Sequence, residues 1–139
     1  MSDVFSKSKR SEVMSLIKSK NSKAELIVFR HLRKNNVYFQ KHYKRAVGTP
    51  DIALPRKKFA VFIDGDFWHG RDYKRRLKGR DENDYWVKKI VRNIERDTQI
   101  RMALVDSGWK VLVVWESDVI RKRTQAEKLK QISDFLTLN

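Results

Sequence analysis

The stretch FIDGDFWHG, Phe62 to Gly70, sets Asp64, Asp66 and His69 around the bulky pair Phe67 and Trp68, directly after a β-like run. A core accepts the aromatic rings but not three ionisable groups among them. A solvated turn accepts the aspartates and glycines but not Phe-Trp. The combination reads as a site. Its histidine is the one nearby group suited to taking a proton from water near neutral pH.

Further carboxylates converge on this stretch. Asp51 follows Thr49-Pro50 and opens the run DIAL; PRKK then links that run to KFAVFID, the pattern of a β-hairpin. The hairpin brings Asp51 beside Ile63 and Asp64, although Pro-Asp is also ordinary turn chemistry. On a helix expected from about Asn83 to Asp106, Trp86, Ile90, Ile94 and Leu104 share one stripe at about 100° per residue. Asp97 falls inside that stripe. It either lines a pocket or pairs with Arg101 one turn on. Glu25 shares a helix face with Phe29 and Leu32, yet it also stands three residues after Ser22, the spacing of a capping box. His31, among basic helix residues, and His42, beside Lys41 in an expected strand, read as ordinary surface positions.

Many restriction-type nucleases carry Pro-Asp and then an acid-x-Lys on the next strand. FAVFIDGD has no lysine after its acids, which leaves His69 to act on the attacking water. A carboxylate from Asp51, a backbone carbonyl near Ile63 and several waters suit Mg²⁺, which keeps much of its hydration shell. Glu25 would hold one of those waters, and Asp97 would orient the His69 ring. No definite role attaches to Asp64.

The elements that must position these groups follow from the same pass along the chain. Residues 1–9 read as a flexible basic arm, and RSEVMSLIKSKN as a short helix carrying Val13, Met14 and Ile17. SKAELIVFRHLRKNN is a capped helix, VYFQKHY a strand and AVGTP a turn, ahead of the two hairpin strands. The Lys- and Arg-rich loop from Gly70 to about Asp81 is expected to be exposed. The long helix stops at Ser107-Gly108. WKVLVVWES reads as a buried strand, too apolar for an edge. TQAEKLKQISDFLTL closes the chain as an amphipathic helix with Leu129, Ile132 and Leu136 on one face. The order α-α-β-β-β-α-β-α is that of an α/β fold, a single domain over residues 10–139.

Composition bounds the partner. The 139 residues are 40% hydrophobic and 11% aromatic, a globular balance, but 32 Lys and Arg against 17 Asp and Glu leave a net charge of +15. Such an excess repels itself in a compact fold, and a polyanion relieves it; nucleic acid is the expected partner. The absence of cysteine excludes disulfides and thiolate metal sites. No apolar run approaches the ~20 residues of a membrane span and no signal-peptide core opens the chain, so a cytoplasmic protein without membrane contact is expected.

Glu25, Asp51, His69 and Asp97, with Arg10, Ser11 and Met14, FWH at 67–69, W…KI…N.ERD from Trp86 to Asp97 and GW.VL.VWE from Gly108 to Glu116, resemble the very short patch repair (Vsr) endonucleases. The resemblance covers about residues 10 to 116. It implies a restriction-endonuclease-like (PD-(D/E)XK-type) mixed sheet flanked by helices. It also implies a Mg²⁺-dependent enzyme that nicks one strand of double-stranded DNA near a T·G mismatch. By that resemblance Asp51 and the Ile63 carbonyl hold the metal, Glu25 reaches it through water, and His69 is the general base with Asp97 in support. Met14, Phe67 and Trp68 would wedge between base pairs, where unstacking costs a few kcal/mol and least at a poor pair. Lys89 and Asn93, one turn apart beside the apolar stripe, would contact the mismatched bases; the other reading is a solvated helix face.

The chain departs from the family where Vsr enzymes hold a structural zinc. Those positions fall at Asp66, Arg71, Tyr73 and Ser117, none of them a thiolate. A zinc-less variant is therefore expected, with something else fixing the loop after His69. Asp64 stands where some members carry a second histidine. Two alternatives stay open: a Vsr-like nicking or homing-type endonuclease without mismatch preference, and a non-catalytic basic DNA-binding module. A homing enzyme would usually add a DNA-binding module, for which 139 residues leave no room. A monomer is expected, with repair factors as further candidate partners.

Overall fold

A computed structural model describes residues 22–138, and the elements of that span alternate much as the hydrophobic pattern requires. They are α1 (Lys23–Lys34), β1 (Gln40–Lys41), β2 (Ile52–Leu54), β3 (Phe59–Asp64), one helical turn α2 (Tyr73–Arg76), the long α3 (Tyr85–Asp106), β4 (Lys110–Trp115), α4 (Glu116–Ile120) and α5 (Lys122–Thr137). The arm over residues 1–9, the short helix expected over residues 10–21, and with them Met14, lie outside the described residues.

The strands form one mixed sheet in the order β1-β2-β3-β4. The hairpin pairs β2 with β3 antiparallel, Ile52 opposite Val61, whereas β4 runs parallel to β3 with Ile63 opposite Val114. A parallel neighbour needs a crossover, and α3 supplies it. Every residue of β3 is buried, and its alternation sorts the two layers. Phe59, Val61 and Ile63 pack with Val28, Phe29 and Leu32 of α1 and Ile132 and Leu136 of α5. Ala60 and Phe62 pack on the other face with Leu104 and Ile100 of α3. Each large apolar side chain buried this way contributes roughly 1.5–3 kcal/mol. Asp64 shares the parity of Phe62, so the pleat that builds the core also turns this acid toward α3.

Helix α1 begins where its cap demands. The Ser22 hydroxyl accepts from the Glu25 amide while the Glu25 carboxylate accepts from the Ser22 amide, satisfying two of the orphan donors of the first turn. Helix α3 begins after Asp84, whose carboxylate accepts from the Trp86 amide, and ends at Ser107 before Gly108, which takes φ +91°.

Three expectations about the elements need correction. The strand expected over VYFQKHY shrinks to Gln40–Lys41, because His42 turns out of it at φ +45°. Strand β4 is an edge strand among the described residues, not a central one. Its apolar composition serves its two faces: Leu112 and Val114 pack against the α1–α5 layer, and Val111 and Val113 against the α3 layer. The loop after Gly70 is not wholly exposed, since it carries α2 and buries Leu77 against Trp86 and Ile90. The short helix α4 carries no periodic signal in a sequence of five residues, and it joins β4 directly to α5.

Candidate active site

Two groups of side chains meet at the ends of β2 and β3. The first comprises Glu25, His42 and Asp51, whose ligand-type atoms all lie within 4.8 Å of one another. The hairpin delivers Asp51 as its spacing requires: the Asp51 carboxylate accepts a 2.7 Å hydrogen bond from the Ile63 amide. Burial pushes the Asp51 carboxyl from 3.8 up to about 8; the Ile63 amide opposes the shift, and Glu25 and Asp64 add to it by repulsion. Glu25 is 6% exposed and has two duties at once, capping α1 through Oε1 and facing His42 Nε2 through Oε2 at 2.6 Å.

The second group is Asp64, His69 and Asp97. His69 Nδ1 lies 2.5 Å from Asp97 Oδ2 and 3.7 Å from Asp64 Oδ2. In the neutral tautomer that donates Nδ1–H to this carboxylate, Nε2 carries a lone pair. The His69 side chain is 28% exposed. Arg101 does not pair with Asp97, as the i,i+4 spacing allowed. It reaches across to Asp64 at 2.6 Å and stacks over the Phe62 ring at 5.0 Å. Asp64 is 2% exposed; burial raises its pKa, while His69 and Arg101 pull it down. This acid thus stands between the β-sheet and α3, ion-paired with Arg101 and 3.7 Å from the His69 ring.

The loop carrying His69 is pinned at several points. Its backbone closes on itself, with His69 N–H donating to the Gly65 carbonyl and Arg71 N–H to that of Asp66. Gly70 sits at φ +79°, and a Cβ there would fall 2.4 Å from Ile94 Cδ1, so only glycine lets the loop lie against α3. Asp66 accepts from the Ser117 amide at 3.1 Å and from its hydroxyl at 2.6 Å. Arg71 bonds the Ser117 hydroxyl at 3.1 Å and Asp118 at 3.0 Å. Three of the four positions where a zinc would sit, Asp66, Arg71 and Ser117, thus hold a hydrogen-bonded ionic cluster, and the fourth, Tyr73, packs with the aromatic group around Trp86. These residues do not fit a zinc ion: there is no thiolate, and a guanidinium already supplies the positive charge.

Of the residues expected to meet DNA, Phe67 and Trp68 are half-buried, edge to face with one another at 5.1 Å and each 5.6 Å from Trp86. Asn93 is 7% exposed, and its amide donates to the Trp68 carbonyl at 2.9 Å. It is therefore not on a solvated helix face; it ties α3 to the aromatic pair. Lys89, one turn earlier, is half-exposed.

Sequence reasoning passed over three members of this site. His42 was assigned to the surface, but its left-handed turn carries the ring inward to Glu25. Arg101 was read only along its own helix, since nothing local signals a partner 37 residues away. Glu116 at the end of β4 is drawn into the field of Glu25 and Asp66, with its carboxyl raised chiefly by burial. Its place at the close of an apolar strand was the available signal. Oxygen donors on Glu25 and Asp51, with a buried carboxyl that ionises only at a cost, fit a hard divalent cation that would stabilise the charge.

Known proteins match this chain over most of its length. The family model described as DNA mismatch endonuclease Vsr matches residues 2–75. The type II nicking enzyme V.NmeAIP of Neisseria meningitidis serogroup A is 39% identical over 132 residues, 95% of this chain and 94% of that protein. V.HpaIIP of Haemophilus parainfluenzae, also a type II nicking enzyme, is 35% identical over 105 residues, 75% of this chain and 74% of its own length. The DNA mismatch endonuclease Vsr of Escherichia coli is 29% identical over 116 residues, covering 84% of this chain and 74% of that enzyme.

Proposed function

The chain belongs to the Vsr family of DNA endonucleases, and from that premise we propose that it is a Mg²⁺-dependent enzyme nicking one strand of duplex DNA at or near a T·G mismatch. The observation that carries the reading is the His69–Asp97 couple at 2.5 Å, set beside the Asp51 carboxylate that the hairpin holds against Ile63.

Asp97 holds the Nδ1 proton of His69, so Nε2 is free to accept a proton from water as that water attacks a backbone phosphorus. The phosphorus–oxygen ester bond on the far side breaks with its electron pair on the leaving sugar oxygen, which takes a proton from solvent. The charge on the imidazolium is balanced by Asp97 and the nearby Asp64. Asp51 and the Ile63 carbonyl are the residues that would hold Mg²⁺, with Glu25 reaching it through water. When bound, the cation would supply charge neutralisation at the reacting phosphate, which would let Asp51 and Glu25 stand where a polyanion docks. Phe67 and Trp68 supply the apolar wedge, with Met14 as its third member; the partial exposure of Phe67 and Trp68 beside Trp86 supports their part in it. Lys89 is the candidate for direct base contact. Asn93 contributes by holding Trp68, which supports a positioning role. The enzyme is taken to act as a monomer.

The test is nicking of two duplexes of one sequence, fully paired and with a single T·G pair, in Mg²⁺ and in EDTA. The expected result is a single-strand nick in the mismatched duplex with Mg²⁺ alone. Equal nicking of both duplexes would favour the nicking-enzyme reading without mismatch preference. Metal-independent binding with no cleavage would leave only the DNA-binding module.

A further inference from the structure

The Glu25–Asp51 pair is held together by one residue, His42, that the proposed mechanism does not use. Its backbone amide donates to the Asp51 carbonyl at 3.0 Å, and its ring reaches Glu25 Oε2 at 2.6 Å. The ring is fixed on a further side by Phe29, edge to face at 5.9 Å. Getting there requires φ +45°, a conformation that a non-glycine residue adopts at a cost of about 1–3 kcal/mol. The ring is 18% exposed and Glu25 8% exposed as side chains, so the bond is sheltered from competing water. Ser22 occupies the other oxygen of Glu25 through its amide. With both oxygens engaged, Glu25 has one orientation, and the direction in which it faces Asp51 is set from both ends.

We propose that His42 is a positioning residue of the metal centre: it donates Nε2–H to Glu25 and so presets the Glu25–Asp51 carboxylate pair for a hydrated divalent cation. A carboxylate that acts on a metal through water must be aimed before the cation arrives, because the aqua ligand transmits direction but imposes little of its own. Loss of such an outer-sphere partner typically costs about 10–100-fold in metal affinity. The inference rests on the Asp51-centred metal site proposed above.

Two substitutions isolate the hydrogen bond from the backbone. His42→Asn tolerates the left-handed conformation but is too short to reach Glu25, whereas His42→Gln retains an N–H donor at nearly the distance of Nε2. Binding of Mn²⁺ to the free protein, read by electron paramagnetic resonance, and the Mg²⁺ dependence of nicking are measured for each, with melting curves to verify folding. His42→Asn is expected to raise the Mn²⁺ dissociation constant and the Mg²⁺ requirement by about 10–100-fold, with the rate at saturating Mg²⁺ within about threefold of the parent. His42→Gln is expected to restore most of the affinity. Unchanged Mn²⁺ binding in folded His42→Asn, or equal damage from both substitutions, overturns the role given to His42. Asp51→Asn serves as the separate arm. If it abolishes Mn²⁺ binding while His42→Asn does not weaken it, the inference fails alone; if it binds Mn²⁺ and nicks like the parent, the metal-site reading fails with it.

Discussion

His69 is useful as a base only while one of its nitrogens is committed to holding a proton, and Asp97 makes that commitment at 2.5 Å. An amide at position 97 could present its N–H to Nδ1 and reverse the tautomer. Asp97→Asn should therefore lower kcat for nicking about 10²–10⁴-fold, as should His69→Ala, with DNA affinity within a few-fold of the parent in both. Gel-shift titration beside single-turnover nicking makes the comparison; wild-type turnover in either variant would remove the residue from the mechanism. Asp51 makes a different prediction. Its folded-state pKa is raised from 3.8 to about 8, so its protonated form is the favoured one in the cation-free fold. The associated stability is complete below the unfolded value and is lost as pH rises through the folded one. In EDTA the melting temperature should fall between about pH 4 and pH 8, and Asp51→Asn should flatten that dependence. A parent curve already as flat as the variant's would mean that Asp51 ionises in the fold at no cost.

At the scale of elements, the site depends on a loop that leaves β3 and lies against α3 through Phe67, Trp68, Tyr73 and Leu77. Gly70 allows the approach to Ile94, and the Asp66–Ser117–Arg71–Asp118 cluster ties the loop to the junction of β4 and α4. The cluster is partly exposed on the Arg71 side, so its worth lies more in hydrogen bonds than in charge pairing. Ser117→Ala removes the hydroxyl that both Asp66 and Arg71 use, at an expected cost of about 1–3 kcal/mol by denaturant unfolding. Amide hydrogen exchange should quicken over residues 65–71, with slower nicking as the His69 ring loses its fixed place. Unaltered exchange in that loop would show that the backbone turns and Gly70 suffice.

For the whole molecule the governing quantity is charge. A net charge of +15 is carried on a fold in which the buried acids sit in the site or in ion pairs, among them Asp64–Arg101, Arg71–Asp118 and Arg80–Asp84. Among the described residues many other cations are exposed, Lys41, Lys44 and Arg45 near the turn into β2 among them. Affinity for duplex DNA should fall about 10³-fold between about 50 and 200 mM salt, if six or more phosphates are neutralised. A log–log plot of affinity against salt measures that number. A flat plot would mean that contacts to bases and wedges dominate. No helix among the described residues is long and apolar enough to cross a membrane.

Much of this was legible in the chain itself because it is local. The Ser22–Glu25 spacing caps α1, the α3 stripe places Asp97 inward, and the short PRKK connection leaves Asp51 nowhere to go but beside Ile63. The α/β order follows from the same periodicities, since each apolar stripe has one face to bury, whereas the restriction-endonuclease-like arrangement of the sheet is what the family resemblance implies. What only the tertiary structure decided are the choices among partners far apart in sequence. Arg101 could have taken Asp97, one turn away, but took Asp64 across the sheet. Glu25 caps its helix and at the same time faces His42, whose ring a left-handed backbone turns inward from the surface. The reason is physical: hydrogen bonds within a turn depend on spacing that the chain encodes directly. A buried charge instead chooses among every counter-charge the fold brings within reach, and that set exists only once the layers have packed.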